Sequence, residues 1–233
     1  MQGLVEVKDL HVRYGDYEAV KGVSFSLGKG EILGIVGESG SGKSTIAKTL
    51  MGLTQSSGGH IAIGASSMQM IFQDAVGSLN PRMTVRQTLS EVLKIKQSNN
   101  PSNRTIEQLL DLVGLSSAVL DQYPREMSGG QCQRISIARA LACEPEVLIA
   151  DEPVSALDVS VQARILNLLR DLRRDLGLSI LLIAHDLAVV KNVCDRICVM
   201  EHGHFVDAGD AEEVFDHPTS AYTKRLLSAV PRI

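Results

Sequence analysis

The chain has 233 residues, of which 44% are hydrophobic, 21% are charged and 3% are aromatic. This length predicts one large domain, or one domain with an inserted subdomain, and it is sufficient to bury a sizeable core. The ordinary apolar share and the mixed charge exclude a disordered chain. With 23 lysines and arginines against 27 acidic residues the net charge is −4, so the composition indicates no basic face for nucleic acid.

Cysteine usage and the N-terminal residues bear on the compartment. The four cysteines fit no disulfide framework for a chain of this size, which favours a reducing compartment. Glu6 and Lys8 interrupt the stretch where a secretory signal needs an unbroken apolar run. The most apolar run, residues 180–184, is far shorter than the roughly 20 residues that cross a bilayer. We therefore expect a cytosolic chain that reaches a membrane only through a partner.

In chain order, short apolar runs separated by turn residues come first, at residues 4–7, 12–14 and 23–27. They predict a small antiparallel sheet. A continuous apolar run at residues 32–36 then predicts a buried parallel strand. It leads into a glycine-rich loop and a predicted helix over about residues 43–51.

Two later apolar runs, at residues 147–150 and 179–184, predict further buried strands with a helix over about residues 159–176 between them. Four apolar side chains share one face of that helix: Ile165, Leu168, Leu169 and Leu172. Because strands and helices alternate, the pattern predicts a parallel α/β sheet.

Residues 76–146 have a different character, with no run that suggests a buried strand. Their apolar spacing is helical at residues 85–92, 105–113 and 128–142. We expect an α-helical subdomain inserted into a core made by residues 1–75 and 147–233. The tail after Asp207 predicts a closing helical segment.

The glycine-rich loop contains the pattern G-x-x-x-x-G-K-[ST], placed after a predicted strand and before a predicted helix. The residues concerned are Gly37, Glu38, Ser39, Gly40, Ser41, Gly42, Lys43, Ser44 and Thr45. Glycines let backbone N–H groups converge on phosphate oxygens, and the helix N-terminus adds partial positive charge. Lys43 would reach the β- and γ-phosphates, and the Ser44 hydroxyl would bind Mg²⁺. The sequence therefore predicts a site for ATP and Mg²⁺.

Two carboxylates, Asp151 and Glu152, end the predicted strand at residues 147–150. In α/β sheets ligands bind at the carboxyl ends of strands, so both acids are expected beside the phosphates. Asp151 would hold Mg²⁺ directly or through water, and Glu152 would polarise the attacking water.

A further motif opens a predicted helix and resembles the signature of ATP-binding cassette (ABC) ATPases: Ser128, Gly129, Gly130 and Gln131. Other residues are similar to family motifs in the family's order: Tyr14 at the position of the aromatic that stacks on adenine, Gln73 of the Q-loop, Ser155 and Asp158 of the D-loop, and His185 as the switch histidine. The resemblance covers essentially the whole chain. It implies a P-loop NTPase (RecA-like) fold with a parallel-sheet core, an antiparallel β-subdomain and the inserted α-helical subdomain.

The resemblance also implies roles. Two subunits would meet head to tail, with Ser128 of one subunit capping the γ-phosphate bound by Lys43 of the other. Glu152 would act as the base, and His185 would hold water, γ-phosphate and base in register. Gln73 would reach the γ-phosphate and the metal.

Longer stretches of sequence, two of which include these motifs, are similar to the oligopeptide, dipeptide and nickel importer branch of the family. They occur at residues 78–82, 128–134, 183–190 and 217–231. The resemblance implies a second ABC ATPase subunit (a paralogue or the same chain), two permease subunits contacted through residues 73–126, and indirectly an extracytoplasmic solute-binding protein. It implies no nucleic-acid partner and a peripheral place on the cytoplasmic face of the inner membrane.

Several alternatives stay open at this stage. An efflux ATPase would use the same chemistry, and a soluble ABC ATPase would act on ribosomes or DNA. Peptide, nickel and metal-chelate cargo are all compatible with the chain. Compared with the family pattern, the stretch between Lys43 and Gln73 is short, and the cysteine-bearing extension of some relatives is missing, so no iron–sulfur cluster is expected.

Overall fold

The computed structural model describes residues 3–99 and 104–228, so the end of the importer-like run, residues 229–231, lies outside the described part. The strands are β1 Val5–Tyr14, β2 Tyr17–Leu27, β3 Ile32–Val36, β4 Gly58–Ile63, β5 Met68–Ile71, β6 Val147–Asp151, β7 Ser179–Ala184, β8 Arg196–Glu201 and β9 His204–Asp210. The helices are α1 Lys43–Leu50, α2 Val85–Asn99, α3 Ile106–Leu112, α4 Gly129–Leu141, α5 Val159–Leu176, α6 Leu187–Val190, α7 Ala211–Asp216 and α8 Ala221–Ser228. Two short 3₁₀ helices lie at Ser117–Val119 and Pro124–Glu126.

The larger sheet has the strand order β5-β6-β7-β3-β8-β9, in which all neighbours are parallel except β8 and β9. Every residue of β3, β6 and β7 is buried. Continuous apolar runs of this kind are typical of parallel strands covered on both faces. The predicted strands at residues 32–36 and 179–184 are therefore confirmed. The strand predicted at residues 147–150 is also present and extends by one residue, to Asp151.

The smaller sheet is antiparallel with the order β2-β1-β4. The runs predicted at residues 4–7 and 12–14 form the single strand β1, whose pairing with β2 is interrupted by bulges near Asp9. The inner face of β1 and β2 packs against Leu33 and Ile35 of β3 and Ile46 of α1. This packing fixes the small sheet beside the loop that follows β3.

The described residues between β5 and β6 are helical and join the larger core. α2, α3 and α4 bury, among others, Leu89, Leu109 and Ile135 completely or almost completely. Helix α5 spans the predicted residues and buries Ile165, Leu169 and Leu172. The predicted Leu168 is half-buried and packs against the same core, and Leu166 is buried as well. Within the described ranges, no helix combines the length and the apolarity needed to cross a membrane.

Candidate active site

The loop at residues 37–42 connects β3 to α1 at the carboxyl end of the sheet. Gly42 has a left-handed φ of 112°, and a Cβ added there would lie 2.4 Å from the Ala19 carbonyl oxygen. A Cβ on Gly37 would lie 2.1 Å from the carbonyl oxygen of Met200. Since both approaches are to backbone atoms, no side chain could relieve them, and both positions require glycine.

Lys43 folds back into this loop. Its Nζ donates hydrogen bonds to the carbonyl oxygens of Gly37 at 2.7 Å and Glu38 at 2.8 Å, and lies 3.5 Å from Ser41 Oγ. The side chain is 3% exposed. The loop carbonyls therefore satisfy a buried ammonium group at the place where the phosphates are expected to bind.

The charges around Lys43 compensate one another only in part. Burial lowers the pKa of Lys43, and the carboxylates of Glu152, Asp151 and Glu38 oppose that shift. Burial likewise raises the pKa of Asp151, and the hydrogen bond from Ser44 opposes that rise. The site therefore holds charged groups at a cost to folding, a pattern common at functional sites.

Asp151 and Ser44 meet at the carboxyl end of β6. Ser44 Oγ donates to Asp151 Oδ1 at 2.8 Å, and Asp151 is 5% exposed. Mg²⁺ prefers hard oxygen ligands and is usually bound by one or two carboxylates together with substrate phosphates. A hydroxyl and a carboxylate side by side below the phosphate loop fit that ion.

Glu152 has a left-handed φ of 47°, and its N–H donates to the Ile183 carbonyl of β7 at 3.0 Å. Its Oε2 accepts a hydrogen bond from Gln73 Nε2 at 2.7 Å. His185 follows β7 at the same edge of the sheet and is exposed. The structure thus gathers the expected base, the Q-loop amide and the switch histidine at the ends of β5, β6 and β7. The metal role expected for Gln73 stays a prediction: the hydrogen bond to Glu152 uses the amide nitrogen, whereas a metal would bind the amide oxygen.

The signature residues open α4 as a capping box. Gln131 N–H donates to Ser128 Oγ at 3.2 Å, and Ser128 N–H donates to Gln131 Oε1 at 2.9 Å. A Cβ on Gly130 would lie 2.7 Å from Val161 Cγ1 of α5. The start of α4 is therefore closely packed against α5, with the Ser128 side chain left at the surface.

The D-loop connects this surface to the base. Ser155 Oγ donates to the Glu152 carbonyl at 3.2 Å, and Asp158 caps α5 by accepting from Val161 N–H at 3.0 Å. The Ser160 hydroxyl, 2.8 Å from the carboxylate, lowers the pKa of Asp158. A cavity of about 470 Å³ lies between these segments and the Q-loop, lined by Gln73, Asp74, Ala75, Val76, Gly129, Gln133, Pro153, Ser155, Ala156 and Leu157.

The signature and the phosphate loop stay apart. Within residues 3–99 and 104–228, no hydrogen bond joins residues 128–131 to residues 37–45. Tyr14, at the end of β1, is 48% exposed, and its Oη lies 3.3 Å from Thr54 Oγ1. Its ring is therefore accessible for stacking.

One contact to the loop escaped the sequence reasoning. The backbone N–H of Glu38 donates to Tyr222 Oη at 2.9 Å, across 184 positions of sequence. The sequence does show the C-terminal run that contains Tyr222, but no pattern in that run indicates a contact with Glu38.

Comparison with known proteins identifies the family. The family model described as ABC transporter matches residues 20–155. The oligopeptide transport ATP-binding protein OppF of Escherichia coli (strain K12) is 48% identical over 92% of this chain and 70% of its own length. This chain belongs to the ABC transporter family. It is an ATP-binding domain of that family, whose activity is ATP hydrolysis coupled to transport.

Two further comparisons add detail. OppF of Lactococcus lactis subsp. lactis (strain IL1403) is 44% identical over 100% of this chain and 82% of its own length. That alignment spans 261 positions, more than the 233 residues of the chain, so positions of that relative have no counterpart here. A dimeric structure of a post-hydrolysis state of the ATP-binding cassette MJ0796, bound to ADP and Pi, has a TM-score of 0.76 at 26% identity over 89% of this chain and 98% of that one. The expected ABC ATPase fold is confirmed.

Replacing Asp151 by asparagine should stabilise the nucleotide-free chain. Because the folded pKa of Asp151 is raised, the ionised carboxylate costs stability above that pKa, and asparagine keeps an acceptor for Ser44 without the charge. We expect a higher melting temperature at neutral pH, by about 2–4 °C for each kcal/mol gained. The gain should shrink as the pH falls toward the unfolded pKa of about 3.9, where both states of wild type become protonated.

The measurement is differential scanning calorimetry from about pH 4, near the unfolded pKa, to about pH 8, where the raised folded pKa leaves the cost of ionisation fully present. Asp216→Asn, at an exposed aspartate of α7, is the matched control and should change the melting temperature little. A lower melting temperature for Asp151→Asn at neutral pH would show that the carboxylate stabilises the fold instead.

Proposed function

We propose that this chain is the ATP-binding subunit of an importer that takes up oligopeptides through partner permeases. The observation that carries the proposal is the 48% identity with an oligopeptide transport ATP-binding protein along 92% of the chain. The site supports it, because the phosphate loop, paired acids, Q-loop, D-loop and switch histidine occupy one edge of the sheet. Peptide in place of nickel or a metal chelate follows the name of that relative, and import in place of export follows the stretches of sequence similar to the importer branch.

The proposed chemistry uses the groups already in place. Backbone N–H groups of residues 37–42 and Lys43 hold the phosphates, and the Lys43 ammonium shares its three donors between loop carbonyls and phosphate oxygens. Ser44 and Asp151 would hold Mg²⁺, which would neutralise charge on the phosphates when bound. Glu152 accepts a proton from the attacking water as the new P–O bond forms and the bond to the β–γ bridging oxygen breaks. His185 orients that water.

We propose a head-to-tail dimer in which Ser128 completes the site of a second ATPase subunit. Ser128 Oγ accepts a bond from Gln131 N–H, which leaves its O–H free to donate to a γ-phosphate oxygen. The N–H groups of the first turn of α4 lie at the same end of the helix as the Ser128 hydroxyl and add the partial positive charge of a helix N-terminus. The separation of this surface from the phosphate loop of its own chain supports completion in trans. The second subunit is a paralogue or a second copy.

A groove beside the Q-loop is the proposed permease contact. Phe72 is 39% exposed and Val76 is 49% exposed, although both are large and apolar. A cavity of about 470 Å³ lies here, lined by Phe72, Asp74, Gly77, Ser78 and Arg139. An exposed aromatic ring beside polar and charged side chains, with the exposed Val76 nearby in sequence, suits a short helix of a membrane partner. Binding there would hold the chain at the cytoplasmic face of the inner membrane, with the solute-binding protein contacting only the permeases.

The direct test is an affinity pull-down of the tagged chain from detergent-solubilised native membranes, followed by mass spectrometry. We expect two polytopic proteins and a second ATPase, because the groove and the Ser128 surface each need a partner. Recovery of only one kind of ATPase would indicate a homodimer. Recovery from the soluble fraction with ribosomal or DNA-bound proteins would contradict the importer proposal and leave the ATPase activity intact.

Substituting Glu152 by glutamine tests the base. In the complex recovered by the pull-down, Glu152→Gln should bind ATP normally and trap a closed dimer, since only the proton acceptor is lost. Turnover at that site should fall by about 10²-fold or more, the usual contribution of a general base. Phosphate release and crosslinking of the dimer measure both effects. Glu212→Gln, at an exposed glutamate of α7, is the matched control, and near-normal turnover of Glu152→Gln would remove Glu152 from the base role.

Substituting Ser128 by arginine tests completion in trans. Ser128→Arg should abolish cooperative turnover in the complex and spare ATP binding by the isolated chain, because the bulky cation blocks the facing site only. Loss of the cap should cost about 1 kcal/mol of stability, which a thermal melt separates from the catalytic effect. Ser66→Arg, at an exposed serine of the β4–β5 turn, is the matched control. Unchanged turnover of Ser128→Arg would argue against the trans site.

A further inference from the structure

The peptide bond between Gly37 and Glu38 is held at both of its polar ends by side chains. Its carbonyl oxygen, on Gly37, accepts from Lys43 Nζ at 2.7 Å. Its N–H, on Glu38, donates to Tyr222 Oη at 2.9 Å. One anchor belongs to the phosphate-binding motif itself, whereas the other comes from α8 at the opposite end of the sequence.

The tyrosine that provides the second anchor is itself firmly placed. Tyr222 is 4% exposed and packs in the larger hydrophobic core. The guanidinium carbon of Arg225 lies 5.1 Å from the centre of its ring, and Arg225 pairs with Glu201 of β8 at 3.4 Å. A ring fixed by core packing and a cation holds its hydroxyl in one position.

The start of α8 is fixed in turn by Asp207 of β9. This buried carboxylate accepts from Thr219 N–H at 3.3 Å, from the Thr219 hydroxyl, and from Ser220 N–H at 3.0 Å. Burial works against ionisation of Asp207, but the bonds from Thr219, Thr223 and Ser220 outweigh it and hold the pKa at about 2. Asp207 therefore stays charged at physiological pH and anchors the helix that carries Tyr222.

The same C-terminal segment supports the loop at a second point. The N–H of Gly203, in the turn between β8 and β9, donates to the Ser41 carbonyl at 3.0 Å. The Gly203 carbonyl accepts from Lys21 N–H of β2 at 2.9 Å. The loop is thus bonded at its beginning by α8 and near its end by the β8–β9 turn.

We propose that Tyr222 is a positioning residue for nucleotide binding, which keeps the Gly37–Glu38 peptide oriented when Lys43 also donates to the phosphates. This inference rests on the proposed role of the loop in binding ATP. Without nucleotide Lys43 donates to the loop carbonyls alone. With nucleotide its three N–H donors are shared with the phosphates, so the peptide depends more on the bond to Tyr222. Loss of the phenol hydroxyl therefore penalises the nucleotide-bound state more than the empty one.

The test is Tyr222→Phe, which keeps the buried ring and removes only the hydroxyl. We expect the dissociation constant for MgADP, from isothermal titration calorimetry on the isolated chain, to rise by about threefold to tenfold, the worth of one hydrogen bond. The KM for ATP in the assembled complex should rise in parallel, while kcat stays within about twofold, since the reacting groups are untouched. Tyr17→Phe, at a tyrosine that is 60% exposed, is the matched control.

Two outcomes overturn the inference in distinguishable ways. A lower melting temperature of Tyr222→Phe with unchanged MgADP affinity and KM would mean that the hydroxyl only supports the fold. Lys43→Ala, expected to lose MgADP binding, reports on the loop itself. If Lys43→Ala binds MgADP as tightly as wild type, the assignment of the loop fails and the inference fails with it. If Lys43→Ala loses binding and Tyr222→Phe does not, only the role of Tyr222 is refuted.

Discussion

Parallel pairing of β3, β6 and β7 is the constraint from which the site follows. Strands that run in the same direction and in register deliver their carboxyl ends to one edge of the sheet, so segments more than 100 residues apart become neighbours there. The phosphate loop follows β3, the two acids end β6, and His185 follows β7. Burial on both faces keeps these three strands in the interior of the sheet.

A second constraint comes from the inserted helices. The opening of α4 is packed against α5 so closely that Gly130 has no room for a Cβ beside Val161. The signature surface is therefore packed on α5, which follows the D-loop, and the D-loop is bonded to the backbone of Glu152 through Ser155. These contacts connect the surface proposed to face a second subunit with the acid proposed to act on the chain's own nucleotide.

The sequence predicts the parts of this structure whose signals are local. Continuous apolar runs mark β3 and β7, and the glycine–lysine pattern marks the loop together with its chemistry. The strand β8 is not predicted, because Arg196 and Glu201 bound a short apolar stretch. The strand β4 is not predicted either, because Gly-Gly-His shows no alternation of apolar and polar residues and the strand pairs with the distant strand β1. Contacts such as Tyr222 to Glu38 are beyond single-sequence patterns, since they depend on how two finished elements meet.

The hydrogen bond between Gln73 and Glu152 has a consequence for ATP hydrolysis in the resting chain. The amide lies 2.7 Å from the carboxylate, so one of the two carboxylate oxygens is already occupied. Under the proposed role of Glu152 as base, this contact would restrain ATP hydrolysis at rest, and it lies on the loop that borders the groove proposed for the membrane partner. A partner that draws this loop away would free the Glu152 carboxylate from Gln73. By reciprocity, the state of the nucleotide would alter how tightly the partner is held.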